Sequence, residues 1–261
     1  MKEELWKTVK LFLLWCLLFC VPIIGIIVGG RVLKNDAIIN WTILLGYMLI
    51  AIVFFGKRYV KLSFGRIERR MVWPVIGMSV LVVAAYLFVE ISLYFLFDIV
   101  HLFPKEIKEI HEAHQRISGI AGILSFCIFG PIAEEICFRG ILLGGLLKMR
   151  CRPWIAILIT ALAFGLVHGW LVKVLYTMVF GIILGWIYLR TESIIPCLII
   201  HIVNNSISFT INYLHLSGQP NNTVLIVILI VCLLLLAYGF WWFWKKFNFA
   251  DEFNQTINTN Q

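Results

Sequence analysis

Three apolar stretches of the sequence carry polar side chains whose types and spacing could perform chemistry together. The polar candidates are Glu134, Glu135, Arg139, His168, His201 and Asn205, and the seventh candidate, Phe164, supports the stretch that ends at His168. A charge at the centre of a bilayer costs roughly 2.5–3.5 kcal/mol on insertion scales, so ionisable residues inside apolar segments are functional candidates. Their spacing along a helix then indicates what each one can do.

The two adjacent glutamates are predicted to have different surroundings. Glu135 and Arg139 are four residues apart, so they share a helix face and can form an ion pair. Glu134 points about 100° away, toward a different neighbour. A paired carboxylate stays ionised, whereas an unpaired and partly desolvated one is suited to accept a proton. A purely structural ion network between helices is the alternative interpretation of these charges.

Two histidines and an asparagine are the remaining polar candidates for a reaction site. His201 and Asn205 are also four residues apart and therefore face one point, while His168 lies at the end of its apolar stretch. The alternatives are hydrogen bonding between helices for the pair, and a structural or interfacial role for His168. Counted from the same membrane face, Glu134 and these three residues lie at depths of roughly 10–21 Å, which places them in one layer.

Amide hydrolysis needs a base that activates water, donors that stabilise the oxyanion and a proton for the leaving amine. Glu134 could take the proton from water, and His168 could orient that water or relay the proton. His201 and Asn205 could donate hydrogen bonds to the oxyanion, while Arg139 would hold the helix and its paired glutamate. The residues therefore predict an intramembrane endopeptidase.

Metal binding is a second option for the same side chains. Glu134, His168 and His201 could supply a zinc site, although we expect a metal-free reaction and no cofactor. A separate His111–His114 stretch superficially resembles a zinc-protease helix, but that motif needs histidines four residues apart and these are three apart. We interpret it as part of a short amphipathic helix within 98–116, lying on the outer membrane surface.

Composition determines the kind of scaffold that positions these residues. The chain is 61% hydrophobic and 14% charged, whereas soluble domains are about 45–50% apolar and about 25% charged. An all-α polytopic membrane bundle of about eight transmembrane helices follows, because eight apolar runs approach the roughly 20 residues that span a bilayer. The predicted runs are Val9–Gly30, Trp41–Gly56, Val72–Phe97, Ile117–Leu147, Trp154–Trp170, Val174–Leu189, Ile194–Tyr213 and Thr223–Trp244.

One integral membrane domain is predicted over 1–247, followed by a polar, disordered tail at 248–261. The seven cysteines contain no C-x-x-C pair and are expected to be small buried hydrophobes. With both termini placed in the cytoplasm, 15 of the 22 Lys and Arg residues lie on the inner side, as the positive-inside rule requires. This bias explains the net charge of +8 without a nucleic-acid partner.

These motifs resemble the CaaX protease and bacteriocin-processing enzyme family, also called the Abi or type II CaaX prenyl endopeptidase family. Its E-E-x-x-x-R, F-x-x-x-H and H-x-x-x-N/D patterns occur here in order, within a catalytic core of about 117–213. The resemblance implies an eight-helix intramembrane peptidase with a conical cavity open to the cytoplasm. It further implies that Glu134 activates water and that His201 and Asn205 form the oxyanion hole. Members have been described as metalloproteases, although a metal-free glutamate mechanism is favoured.

The family's substrates include prenylated CaaX proteins, and its bacterial members are linked to bacteriocin self-immunity and peptide maturation. We therefore expect a multi-pass protein of a bacterial plasma membrane that cleaves membrane peptides or proteins within the lipid bilayer, with other membrane proteins as further partners. One rival hypothesis is a catalytically silent membrane scaffold that regulates a partner such as a sensor kinase or a cell-wall enzyme. Another is a small transporter, in which Glu90 would belong to an ion path; we interpret Glu90 instead as lining the cavity or pairing with a neighbouring helix.

Overall fold

The computed structural model describes residues 2–29, 33–62, 65–213 and 221–247, and these ranges form helices and connecting turns without strands. The predicted tail at 248–261 lies outside the described residues. In chain order the helices are α1 (Lys2–Ile27), α2 (Asp36–Gly56), α3 (Val72–Leu96), α4 (Pro104–Gln115), α5 (Gly119–Lys148), α6 (Pro153–Leu166), α7 (Leu171–Thr191), α8 (Ile194–Tyr213) and α9 (Asn222–Lys246).

The prediction of an all-helical membrane bundle is confirmed. Within the described ranges, seven helices are long and apolar enough to cross a membrane, namely α1, α2, α3, α5, α7, α8 and α9. The remaining predicted span corresponds to α6, which has 14 residues and is therefore only about 21 Å long. It ends at Leu166 because the chain turns at Gly169, whose φ of +82° is accessible mainly to glycine. The cytoplasmic location of the termini stays a prediction.

Short polar and proline signals set the helix boundaries. The side chain of Asn35 accepts hydrogen bonds from the amides of Ala37 and Ile38, at 3.0 and 3.2 Å, and so caps α2. Asn221 caps α9 in the same way. Pro104 and Pro153 occupy the first positions of α4 and α6, where the missing N–H costs nothing.

Helix α5 lies in the middle of the bundle. Of its central apolar window 56% is buried, compared with 17% for α1 and α9. It packs against α1, α2, α6 and α8, while α3 packs on α8 and α9, and α6 packs on α7. The α6–α7 approach is close, since a Cβ on Gly181 would lie 3.0 Å from the Cα of Ala161. The motif residues of α5, α6 and α8 are thereby brought to neighbouring helices.

Helix α5 is widened by π-helical turns on both sides of the two glutamates, at Ser125–Phe129 and Ile136–Leu143. The sequence predicts a kink or break at Gly130-Pro131; the helical hydrogen bonding continues through these residues, and the π turns on either side change its register. A proline inside a helix removes one backbone donor, and a π turn accommodates that loss locally. Glycine is needed at 130 because a Cβ there would lie 2.8 Å from the carbonyl oxygen of Ser125.

The predicted amphipathic segment folds as a single turn at Ile99–Leu102 followed by α4. Glu109 accepts a hydrogen bond from the indole of Trp170 at 2.8 Å, and Glu106 accepts one from the backbone amide of Val172 at 3.0 Å. The second bond satisfies one of the first amides of α7, which have no partner inside their own helix. We call these two bonds the α4 clasp. It fastens α4 to the connection between α6 and α7.

Candidate active site

A buried ion network joins α5 to α8. One carboxylate oxygen of Glu135, Oε1, accepts hydrogen bonds from Nη1 of Arg139 at 2.8 Å and from Nδ1 of His201 at 2.7 Å. The side chains of Glu135, Arg139 and His201 are 0%, 3% and 4% exposed. Arg139 also donates to the carbonyl of Gly181 at 3.3 Å. The pairing of Glu135 with Arg139 follows the spacing in the sequence, and the pairing with His201 connects two distant motifs.

The neighbouring carboxylate of Glu134 has a different environment. Its side chain is 24% exposed, and its Oε2 atom lies 3.6 Å from Nε2 of His201. That oxygen is buried and accepts no hydrogen bond from any described residue. Glu135 is therefore fully buried and held through Oε1 by two cationic side chains, while Glu134 is partly exposed and its buried oxygen accepts no hydrogen bond. Adjacent positions on one helix thus hold two carboxylates in different environments.

His168 lies in the turn after α6, with a fixed tautomer. Its Nδ1 atom is 2.8 Å from the carbonyl oxygen of Phe164. Because a carbonyl oxygen can only accept, Nδ1 must carry the proton, and Nε2 of the neutral ring presents a lone pair. The charge of Glu134 acts on this imidazole, as does His201. His168 can therefore accept a hydrogen bond from a molecule placed near Glu134.

The ring of Phe164 connects all three motifs. Its centre lies 4.8 Å from the guanidinium carbon of Arg139, and 5.0 and 5.8 Å from the ring centres of His168 and His201. Both imidazoles meet it edge to face, and the guanidinium cation is attracted by the ring's negative face. This aromatic side chain therefore determines how α5, α6 and α8 are spaced around the polar groups.

Asn205 fixes α8 against the first π turn of α5. Its Nδ2 atom donates to the carbonyl oxygen of Phe126 at 3.0 Å, and its Oδ1 accepts from Asn204 at 3.3 Å. One N–H of the Asn205 amide is left for another acceptor. Asn205 lies about one helical turn from His201, so the two residues share a face of α8.

Several residues around Glu134 could not be found from the motifs. The indole of Trp15 donates to the carbonyl of Ala133 at 2.9 Å, which anchors α1 beside the glutamates. Tyr47 of α2 and Lys173 of α7 lie within electrostatic reach of Glu134. They stand alone in apolar stretches, so no spacing pattern marks them. The one feature of the sequence that could have indicated them is Lys173, a charged residue at the beginning of an apolar run.

Glu90 belongs to a second polar group on α3 and α7. It interacts with Tyr86 on its own helix and, electrostatically, with Lys173. The hydroxyl of Tyr86 donates to the carbonyl of Tyr176 at 2.8 Å, and its ring stacks on Phe180 at 5.2 Å. Glu90 therefore has partners on a neighbouring helix, close to the wall of the site.

The candidate zinc set is not assembled. Among the described residues, no group of three or more His, Cys, Asp and Glu side chains could hold a metal ion. Nδ1 of His201 is bound to Glu135 and Nδ1 of His168 to a carbonyl oxygen, so only the Nε2 atoms of these rings could bind a metal. These residues do not fit a zinc ion, and no reaction step is assigned to one.

Comparison with known proteins identifies the helices that carry this site. Residues 116–207 match the model of a family described as type II CAAX prenyl endopeptidase Rce1-like. The match contains all seven candidate residues and confirms the resemblance drawn from the motifs. No curated protein and no solved structure matches the chain. The chain is thus a multi-pass membrane protein in which residues 116–207 are similar to this protease family.

Proposed function

We propose that this protein is an intramembrane endopeptidase in which Glu134 activates the water that hydrolyses the peptide bond. The observation that carries the proposal is the contrast between the two glutamates. Glu135 is 0% exposed and is held by Arg139 and His201, while Glu134 is 24% exposed and its Oε2 lies 3.6 Å from His201 without accepting a hydrogen bond. A carboxylate in that position can take a proton.

In the first step Glu134 removes one proton from water, while Nε2 of His168 accepts a hydrogen bond from the remaining O–H and orients the oxygen. The new C–O bond forms as the carbonyl π electrons move onto the carbonyl oxygen. The proton on Glu134 then passes to the amide nitrogen, the C–N bond breaks, and an amine and a carboxylic acid leave. One carboxylate thereby serves as base and then as acid.

The oxyanion is stabilised by donors from α8. Asn205 supplies the N–H that is not bound to Phe126. His201 can donate from Nε2 only when both ring nitrogens are protonated, because Nδ1 already donates to Glu135. The carboxylates of Glu134 and Glu135 on either side are the counter-charges of that imidazolium. A donor of this kind contributes about 2.7–4 kcal/mol to the reaction barrier in other hydrolases.

The substrates we propose are peptides or proteins that reach the site from the bilayer. Processing of CaaX-type proteins is one option, suggested by the family description. Maturation of small peptides, or self-immunity against bacteriocins at a bacterial plasma membrane, is the other. In both cases the scissile bond must leave the lipid and approach Glu134 between α5, α6 and α8.

Terminal proteomics of the membrane fraction tests the proposal directly. Cells expressing the natural protein are compared with cells expressing Glu134→Gln at the same level, and peptide termini that depend on the protein should disappear. Glu112→Gln, the same change on α4, is the matched control and should keep them. An unchanged set of termini in Glu134→Gln, with the cellular function retained, would favour the scaffold instead.

A further inference from the structure

Arg190, at the end of α7, is a buried cation without a counter-charge among the described residues. It is 4% exposed. Its Nη1 donates to the carbonyl of Phe247 at 3.2 Å, and its Nε is buried without a hydrogen-bond partner. None of the ion pairs between described residues includes Arg190. Because a buried charge left unpaired is costly, the structure calls for an anion at this position.

Two tryptophans hold the Arg190 guanidinium against the outside of the bundle. Its carbon lies 3.7 Å from the ring centre of Trp244 and 5.4 Å from that of Trp186. Cation–π contacts of this kind stabilise the charge only in part, by about 0.5–2 kcal/mol. Both tryptophans also line the adjacent surface groove, so the cation lies directly behind its wall.

That feature is an apolar groove of about 440 Å³ between α7 and α9, lined by Ile182, Trp186, Phe240, Trp241 and Trp244. Trp241 and Trp244 are 52% and 55% exposed, so the groove opens to the surroundings of the bundle. Lys245 places its ammonium 5.1 Å from the Trp241 ring. The apolar groove is thus walled by tryptophans that also contact two cations, Arg190 and Lys245.

The position of the groove matches a membrane interface. Both α7 and α9 end here, and Lys245 and Lys246 form the last turn of α9. Tryptophans are enriched at the level of lipid headgroups, and clustered Lys and Arg residues beside a span attract anionic lipids. The surface therefore combines a chain-binding groove with an anion-binding rim.

We propose that this groove binds a phospholipid with an anionic headgroup. One acyl chain would lie along Ile182 and Phe240, and the headgroup phosphate would lie between Arg190 and Lys245. A guanidinium matches the oxygens of a phosphate with parallel hydrogen bonds, and it would gain the acceptor that its Nε lacks. A ligand that binds both the apolar groove and the cations must carry an acyl chain as well as an anionic group, which favours a lipid over a soluble anion.

Native mass spectrometry of the full-length protein, delipidated in detergent, tests this site. The protein is titrated with phosphatidylglycerol and with phosphatidylcholine of the same acyl chains. We expect one preferred phosphatidylglycerol per chain. Lys245→Gln should weaken it about fivefold, the effect of one lysine on anionic-lipid binding, and Arg190→Gln tenfold or more. Lys148→Gln, a matched charge removal on α5, should change it less than about twofold.

Three results would overturn the proposal. One is equal retention of the two lipids by the natural protein. Another is displacement of the lipid by millimolar glycerol 3-phosphate, which carries the phosphate without the chains. The third is a preference for phosphatidylglycerol that appears only in the double variant Asp251→Asn/Glu252→Gln. In that case these carboxylates, and not a lipid phosphate, would be the anionic partners of Arg190 in the natural protein. Since Lys245 is exposed, its variant keeps the test decisive even if Arg190→Gln does not fold.

Discussion

The adjacent glutamates of α5 allow one chemical change to be made in two different environments. Replacing either carboxylate by the isosteric amide removes a negative charge and keeps the shape. Glu135→Gln removes the ion-pair partner of Arg139, at 2.8 Å, and the acceptor of His201, at 2.7 Å. Glu134→Gln removes no hydrogen bond within the described structure. The two variants should therefore separate stability from activity.

The expected magnitudes follow from burial. Breaking a buried ion pair by removing one partner costs about 3–5 kcal/mol, so Glu135→Gln should lower the free energy of unfolding by that amount. Glu134 is 24% exposed, and its replacement should change stability by less than about 0.5 kcal/mol. Loss of the general base should slow cleavage about 10²- to 10⁴-fold in Glu134→Gln.

Denaturant titration in detergent, followed by circular dichroism, gives the stability of each variant, and cleavage of a membrane-derived peptide gives the rate. The natural protein and Glu112→Gln serve as references in both assays. Equal stability of Glu135→Gln and the natural protein would refute the buried network as its structural support. Full activity of Glu134→Gln would refute its assignment as the base.

Three further predictions concern the surroundings of these groups. We expect cleavage to persist within about twofold after treatment with 1,10-phenanthroline, because the described side chains form no metal site; the peptide assay measures it. Phe164→Leu should lower stability by the roughly 0.5–2 kcal/mol of its cation–π contact with Arg139, measured by the same titration, and should slow cleavage. Burial lowers the pKa of His114 on α4, so its stabilising contribution is present above about pH 6.5 and is lost as the pH falls through the lower folded value. The protection factors of the α4 amides against hydrogen exchange should therefore fall on acidification, and His114→Gln should remove that fall.

The sequence predicted those parts of the site that depend on helical spacing. Glu135 and Arg139 pair because residues four apart share a helix face, and the adjacent Glu134 points elsewhere for the same reason. The apolar runs predicted the helices, since every backbone polar group within lipid must be satisfied inside its own segment. The family match over 116–207 contains the same motif residues.

The contacts between helices could not be predicted in this way. The motifs give His201 as an oxyanion donor, whereas the structure shows that Nδ1 of this ring is bound to Glu135. Trp15 and Lys173 reach the glutamates from α1 and α7, far away in sequence. Such contacts depend on helix packing and crossing angles, which side-chain periodicity leaves undetermined. The fifth apolar run was predicted to be short, but its end was placed at Trp170 rather than Leu166 because the apolar pattern continues through the turn at Gly169.

The α4 clasp has a mechanical consequence. Trp170, which Glu109 holds, is two residues from His168, and only Gly169 intervenes. A displacement of α4, whether from a change in bilayer thickness or from a molecule that binds outside, would therefore move Trp170 and with it the imidazole of His168. Under the proposed mechanism, an event at the membrane surface would then change the orientation of the water beside Glu134 without any rearrangement of the helix bundle.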